Sequence, residues 1–166
     1  CGEAAACLAL ECGNGAATLR GIAGGTDTHS LTHTDSATVK RVMQAALSDA
    51  AAQPGQIRLV KTHGIGSAAT DEAEAAALHA LLPDTPRAAL KPFIGHTLGA
   101  AAIAETALLL SFLHQGALPP LPAAAAYAQT DAPLAAHGLT LDSGLYLMNF
   151  FGFGGSNTSI ILEHRA

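Results

Sequence analysis

The stretch Lys91-Pro92-Phe93-Ile94-Gly95-His96-Thr97-Leu98-Gly99-Ala100 decides how this chain is read. A short strand over residues 88–91 leads into it. A helix over residues 96–113 follows, apolar almost all round, and such a helix belongs in a core. Gly116 stands where that helix should stop. Its one charge, Glu105, needs a partner, because a lone carboxylate in apolar surroundings is too costly. Lys91 is the obvious candidate. His96 opens the helix, where the positive end of the helix dipole disfavours an imidazolium. A nearby Lys91 pushes the same way. A neutral histidine there can donate a hydrogen bond to a developing oxyanion without titrating.

Upstream, residues 57–62 read as a buried strand that runs into Lys61-Thr62-His63-Gly64-Ile65-Gly66-Ser67. A histidine directly after a strand, with glycine beside it, leaves room for a ligand or a second backbone. Thr70 caps a helix to residue 82, with Asp71, Glu72 and Glu74 suited to its positive end. Downstream, residues 146–150 form a strand that enters Asn149-Phe150-Phe151-Gly152-Phe153-Gly154-Gly155-Ser156-Asn157, and residues 158–163 form the last strand. That loop lacks the G-x-G-x-x-G spacing of a nucleotide loop, and no helix follows it.

At the start, residues 4–10 read as a buried strand closed by the turn Gly13-Asn14-Gly15, with residues 17–23 as its hairpin partner. A polar loop over 24–35 holds His29 and His33. Ser36 caps a helix to residue 52, ended by Pro54-Gly55. Residues 119–138 are a Pro/Ala-rich connection. Strands alternating with helices, and a closing hairpin, predict an α/β fold in one domain. Its mixed five-stranded sheet should have a buried helix and covering helices.

With 49% hydrophobic residues the chain can bury a real core. A net charge of −5 without a basic run gives nucleic-acid binding nothing to work with. Cys1, Cys7 and Cys12 form no C-x-x-C pair, so neither a structural zinc nor any other metal site is expected. A disulfide framework is not expected either, and a cytoplasmic setting is the simplest. Residues 98–113 are short for a membrane span and contain Glu105. The chain opens on Cys1-Gly2-Glu3 rather than Met, and is expected to be a segment of something longer.

Taken together and in this order, the three clusters resemble the β-ketoacyl-carrier-protein synthases of the thiolase superfamily. Those enzymes carry H-G-T-x-T, then K-x-x-x-G-H-x-x-G-A-A-x-x-x-E, then N-x-F-G-F-G-G-x-N. The corresponding stretches here are residues 63–67, 91–105 and 149–157. Gly2-Glu3-Ala4-Ala5-Ala6 looks like the family's G-E-G-A segment, and Asp71-Glu72-Ala73-Glu74-Ala75 like its acidic helix start. The resemblance spans essentially the whole chain, as the C-terminal half of such an enzyme. Residues 1–12 would then be the last strand of the preceding half.

The resemblance implies a decarboxylative condensation of an acyl thioester with malonyl-carrier protein, in fatty-acid or polyketide-type synthesis. His63 and His96 would hold the malonyl thioester carbonyl and stabilise the enolate. Lys91 would order the site and pair with Glu105. Phe151 would be the gate, its N–H completing an oxyanion hole. Ser67, Ile65 and Phe153 would meet the substrate arm. The nucleophilic Cys would come from the N-terminal half, so this chain alone should not catalyse condensation. The implied partners are that half, an acyl carrier protein and a second subunit in a homo- or heterodimer. No cofactor is implied beyond the carrier's phosphopantetheine.

Some positions depart from the pattern. Ile65 replaces the first threonine of H-G-T-x-T and Ser67 the second. Phe150 stands where Ser is frequent and would narrow the approach. Two histidines match the elongating enzymes better than the initiating ones, which use His and Asn. The alternative is a non-catalytic partner subunit resembling chain-length factors. A hydrolase or a histidine-metal protein is a third reading, for which no third ligand is positioned by any motif.

Overall fold

The computed structural model describes residues 1–13, 15–28, 34–122 and 138–165. The expectations for His29, His33 and most of the 119–138 connection lie outside them. A five-stranded mixed sheet organises the rest. Its strands are β1 (Ala17–Thr26), β2 (Ile57–Lys61), β3 (Arg87–Ala88), β6 (Gly144–Gly152) and β7 (Ser156–His164), in the spatial order β1-β7-β6-β2-β3. β7 runs antiparallel to both its neighbours, while β6, β2 and β3 are parallel. Two short strands, β4 (Ala117–Leu118) and β5 (Leu139–Thr140), pair separately.

Side-chain alternation along the strands builds two cores, one on each face. Val60, Leu147 and Ile161 meet α1 (Ser36–Asp49) and α2 (Ala68–Leu81) on one face. Their neighbours Leu59, Met148 and Leu162 meet α4 (Ala101–Gln115) on the other. A four-residue helix, α3 (Lys91–Ile94), lies between β3 and α4. Gly21 lets α1 come this close: a Cβ there would lie 2.5 Å from the Ala46 carbonyl oxygen.

The sheet bears out the mixed five-stranded expectation, but several elements are corrected. Residues 4–10 form no strand and are largely exposed; β1 pairs with β7 instead. β1 is the edge strand of the sheet, and among the described residues no strand pairs with its outer side. The cap of α1 is Asp35, not Ser36: its carboxylate accepts from the Ala37 and Thr38 amides. α2 begins at Ala68, before Thr70. Lys91 opens α3 and is not in a strand.

The helix expected from His96 starts as a single 3₁₀ turn at Leu98–Ala100 and becomes α-helical at Ala101. Gly116 ends it in a left-handed conformation, as expected. It is buried along one stripe only, with Ile103 41% exposed. By composition Leu98–Gln115 could cross a bilayer. Its midpoint Glu105, however, pairs with two lysines inside the protein, and Leu109, Phe112 and Leu113 pack on the sheet.

Candidate active site

His63 follows β2 directly, where the chain leaves the sheet. Its backbone and its ring are both held. The His63 and Gly64 amides donate to the buried Glu74 carboxylate, at 2.9 and 3.3 Å. The ring lies 4.9 Å from the Phe151 ring, centroid to centroid. The Phe151 amide donates to His63 Nδ1 at 3.2 Å. An Nδ1 that accepts must be unprotonated, so the neutral imidazole carries its hydrogen on Nε2.

His96 lies in the turn between α3 and α4. Leu98 adopts φ 52°, rare for a residue with a side chain, and its amide donates to His96 Nδ1 at 3.3 Å. The same logic puts the His96 hydrogen on Nε2. The two rings stand edge to face with centroids 6.2 Å apart.

Both imidazoles are held neutral. Burial pushes the His63 pKa down to about 2, helped by the Lys91 and Lys61 ammonium groups. His96 is lowered first by its own burial and then by Lys91. Burial therefore carries the neutrality expected from a helix end: His96 sits outside the first turn of α4.

His63, His96, Ile65, Ser67, Phe151 and Phe153 all line one cleft of about 500 Å³. The structure thus brings six of the eight expected site residues together. Lys91 and Glu105 are buried instead, and act from behind the wall. Lys91 Nζ donates to the His63 carbonyl at 2.6 Å and pairs with Glu105 at 2.8 Å.

Two expectations are corrected. The Phe151 N–H is engaged by His63 Nδ1, so it is not a free oxyanion donor. Phe150 does not narrow the cleft. One residue earlier on β6 it faces the other side of the sheet, against Lys61.

Three further residues were missed. Lys61 is fully buried and pairs with Glu105 at 2.5 Å. Glu74, read from sequence as a helix-end charge, is buried and holds the His63 amide, with its pKa raised by burial. Asn149 donates to Glu74 at 2.9 Å and accepts from the Ser159 hydroxyl at 2.7 Å. A lysine ending the apolar strand Ile57-Arg58-Leu59-Val60-Lys61 was the available signal, because a buried charge demands a partner.

A cleft with two neutral N–H donors, reached from strand ends and backed by a buried ion-pair network, fits stabilisation of a carbonyl oxygen that gains negative charge. Comparison with known proteins gives this site its family. The profile described as "Beta-ketoacyl synthase, C-terminal domain" matches residues 16–124, and the chain belongs to that family. It is a C-terminal ketosynthase domain of the kind found in polyketide synthases.

Polyketide synthase ThaG of Burkholderia thailandensis is 32% identical over 82% of this chain. Orsellinic acid synthase of Beauveria bassiana is 28% identical over 83% of it. The chain spans only 3% and 7% of these relatives. Among solved structures, a β-ketoacyl synthase from Burkholderia phymatum STM815 superposes with a TM-score of 0.82 at 28% identity. It covers 91% of this chain, which spans 38% of it. A ketosynthase (ApeO) in complex with its chain length factor (ApeC) from Xenorhabdus doucetiae gives 0.81 at 25% identity, with 92% and 40% covered. The thiolase-like fold expected from the motifs is therefore the fold observed.

Proposed function

We propose that this domain supplies the decarboxylation half of a ketosynthase site, acting on a malonyl thioester presented by an acyl carrier protein. The carrying observation is that His63 and His96 line one cleft, with both Nδ1 atoms occupied by backbone amides and both Nε2–H groups left to donate. The thioester carbonyl oxygen accepts from these donors. The carbon–carbon bond to the carboxylate breaks, CO₂ leaves, and its electron pair becomes an enolate held by the same two N–H groups. The enolate carbon attacks the acyl thioester on a cysteine outside residues 1–166, and the thiolate leaves.

Lys91 and Glu105 position His63 through its carbonyl and touch no reacting atom. Phe151, packed on His63, gates the acyl side. Ser67, Ile65 and Phe153 meet the pantetheine arm. In this reading no cofactor of the domain's own takes part. The domain works in the cytoplasm, in fatty-acid or polyketide-type assembly, within a homo- or heterodimer and against a preceding half to which residues 1–12 belong. By itself it does not condense.

A second reading, a chain-length-factor-like subunit, draws support from Ile65, an apolar residue in the cleft where the matched motif has threonine. The test is CO₂ release from malonyl-carrier protein by the complete polypeptide that contains this domain. Replacing either His63 or His96 by Gln should lower the rate by about 10²–10³, the usual cost of one such donor. Undiminished release in both variants rules the reading out.

A further inference from the structure

Lys61 is a second ammonium on a carboxylate that already has one. Glu105 takes Lys91 on Oε1 and Lys61 on Oε2. Lys61 Nζ has three neighbours of negative character: it forms the ion pair with Glu105, donates to the Asn149 carbonyl at 2.8 Å, and lies 3.8 Å from the centroid of the Phe150 ring. The second bond of each lysine lands on a different segment of the chain. Lys91 takes the His63 carbonyl beyond β2, and Lys61 takes the Asn149 carbonyl on β6. Two residues past Asn149 comes Phe151, whose amide sets the His63 tautomer.

We propose that Lys61 is a positioning residue: through Glu105 and the Asn149 carbonyl it holds the end of β6 in register with β2, and so keeps the Phe151 amide on His63 Nδ1. Stability gives little reason for it. Removing Lys61 leaves Glu105 still paired with Lys91, and replacing buried ionic groups by apolar ones is frequently neutral or stabilising. What the lysine adds is the tie between two segments of the chain.

The tie depends on pH. Besides Glu105 on α4, the charged or titratable groups facing Lys61 are Lys91 on α3, Glu74 on α2 and His63 beyond β2. Burial, opposed by Glu105 and reinforced by Lys91, lowers the Lys61 pKa to about 8. Above that the ammonium loses its proton and its hold on Glu105. The stability sign is the reverse of a favourable ion pair. Between about pH 8 and 10.5 the unfolded chain binds a proton that the fold does not. The cost of burying the charge is therefore full below 8 and fades as the pH rises.

The proposal rests on the ketosynthase reading for its activity readout, and a second readout does not. In the complete polypeptide, CO₂ release from malonyl-carrier protein should fall as the pH rises through about 8. Lys61→Met should release CO₂ about tenfold more slowly, without a break near pH 8, while melting no lower than the parent protein. Lys61→Arg, which stays charged, should recover rate and move the break upward; it also serves if the Met variant does not fold. A Met variant with parental rate and pH profile overturns the proposal.

If the unsubstituted protein releases no CO₂, the ketosynthase reading fails and the tie is read by NMR. Selectively ¹³Cε-labelled lysine should show a titration near pH 8, and the His63 ¹⁵Nδ1 resonance should shift with it. Lys61 titrating near the ordinary lysine value, or a ¹⁵Nδ1 signal indifferent to Lys61→Met, contradicts the proposal.

Discussion

His63 shows how burial sets chemistry at a single residue. With its pKa near 2, the imidazole stays neutral through the physiological range. Between about pH 2 and 6.5 the unfolded chain binds a proton that the fold refuses, so this group's contribution to stability falls as the pH drops below 6.5. Glu74, its pKa raised by burial, acts in the opposite sense around its own range. Thermal midpoints measured from pH 7 to 4 should therefore drop less steeply in His63→Gln than in the parent protein. Equal slopes would mean that His63 is not buried neutral. His63 and His96 were legible in the sequence because each stands at an element end beside glycine. Glu74 was not, since the helix dipole already explains a charge there, and Lys61 gave only the signal of a charge closing an apolar strand, which does not name its partner.

At the scale of elements, the sheet strands and the helices α1, α2 and α4 were legible as apolar runs, spacing and cap residues, whereas most of their ends, Gly116 excepted, were not. The cap of α1 is a case in point. Asp35 and Ser36 are both good caps; Asp35 is the one with extended backbone, φ −92° and ψ 125°, and Ser36 is already helical. Asp35→Ala should cost about 1 kcal/mol in chemical denaturation. The hairpin expected between residues 4–10 and β1 did not form: β1 pairs with β7, more than a hundred residues away, and its other edge carries no strand among the described residues.

The glycine loop makes a firmer case at this scale. Gly155 has φ 75°, and a Cβ there would lie 1.8 Å from the Asp27 carbonyl oxygen, whose residue's amide bonds back to Gly155. Gly155→Ala should therefore unfold at lower temperature and disturb the cleft, whereas Gly154→Ala meets no neighbouring atom and suffers only the strain of its positive φ. Equal melting of the two variants would contradict this packing. The buried trio is the counterpart in charge. Glu105→Gln leaves two buried ammonium groups without their counter-ion and should cost about 3–5 kcal/mol.

The whole molecule places both donors at one end of the sheet and leaves apolar side chains uncovered elsewhere. On β1, Ile22 is 54% exposed and Leu19 46%, apolar surface of the kind a packed partner covers. A preceding half packed there is part of the proposed function, as is the origin of the nucleophile. The three cysteines present are exposed and lie in residues 1–12, which form no strand. The central claim is that this domain brings the histidine pair and not the nucleophile. Its most direct test is to load the complete polypeptide with a radiolabelled acyl thioester, digest it and map the label. The account predicts a labelled cysteine outside residues 1–166. Label on Cys1, Cys7 or Cys12 would contradict it.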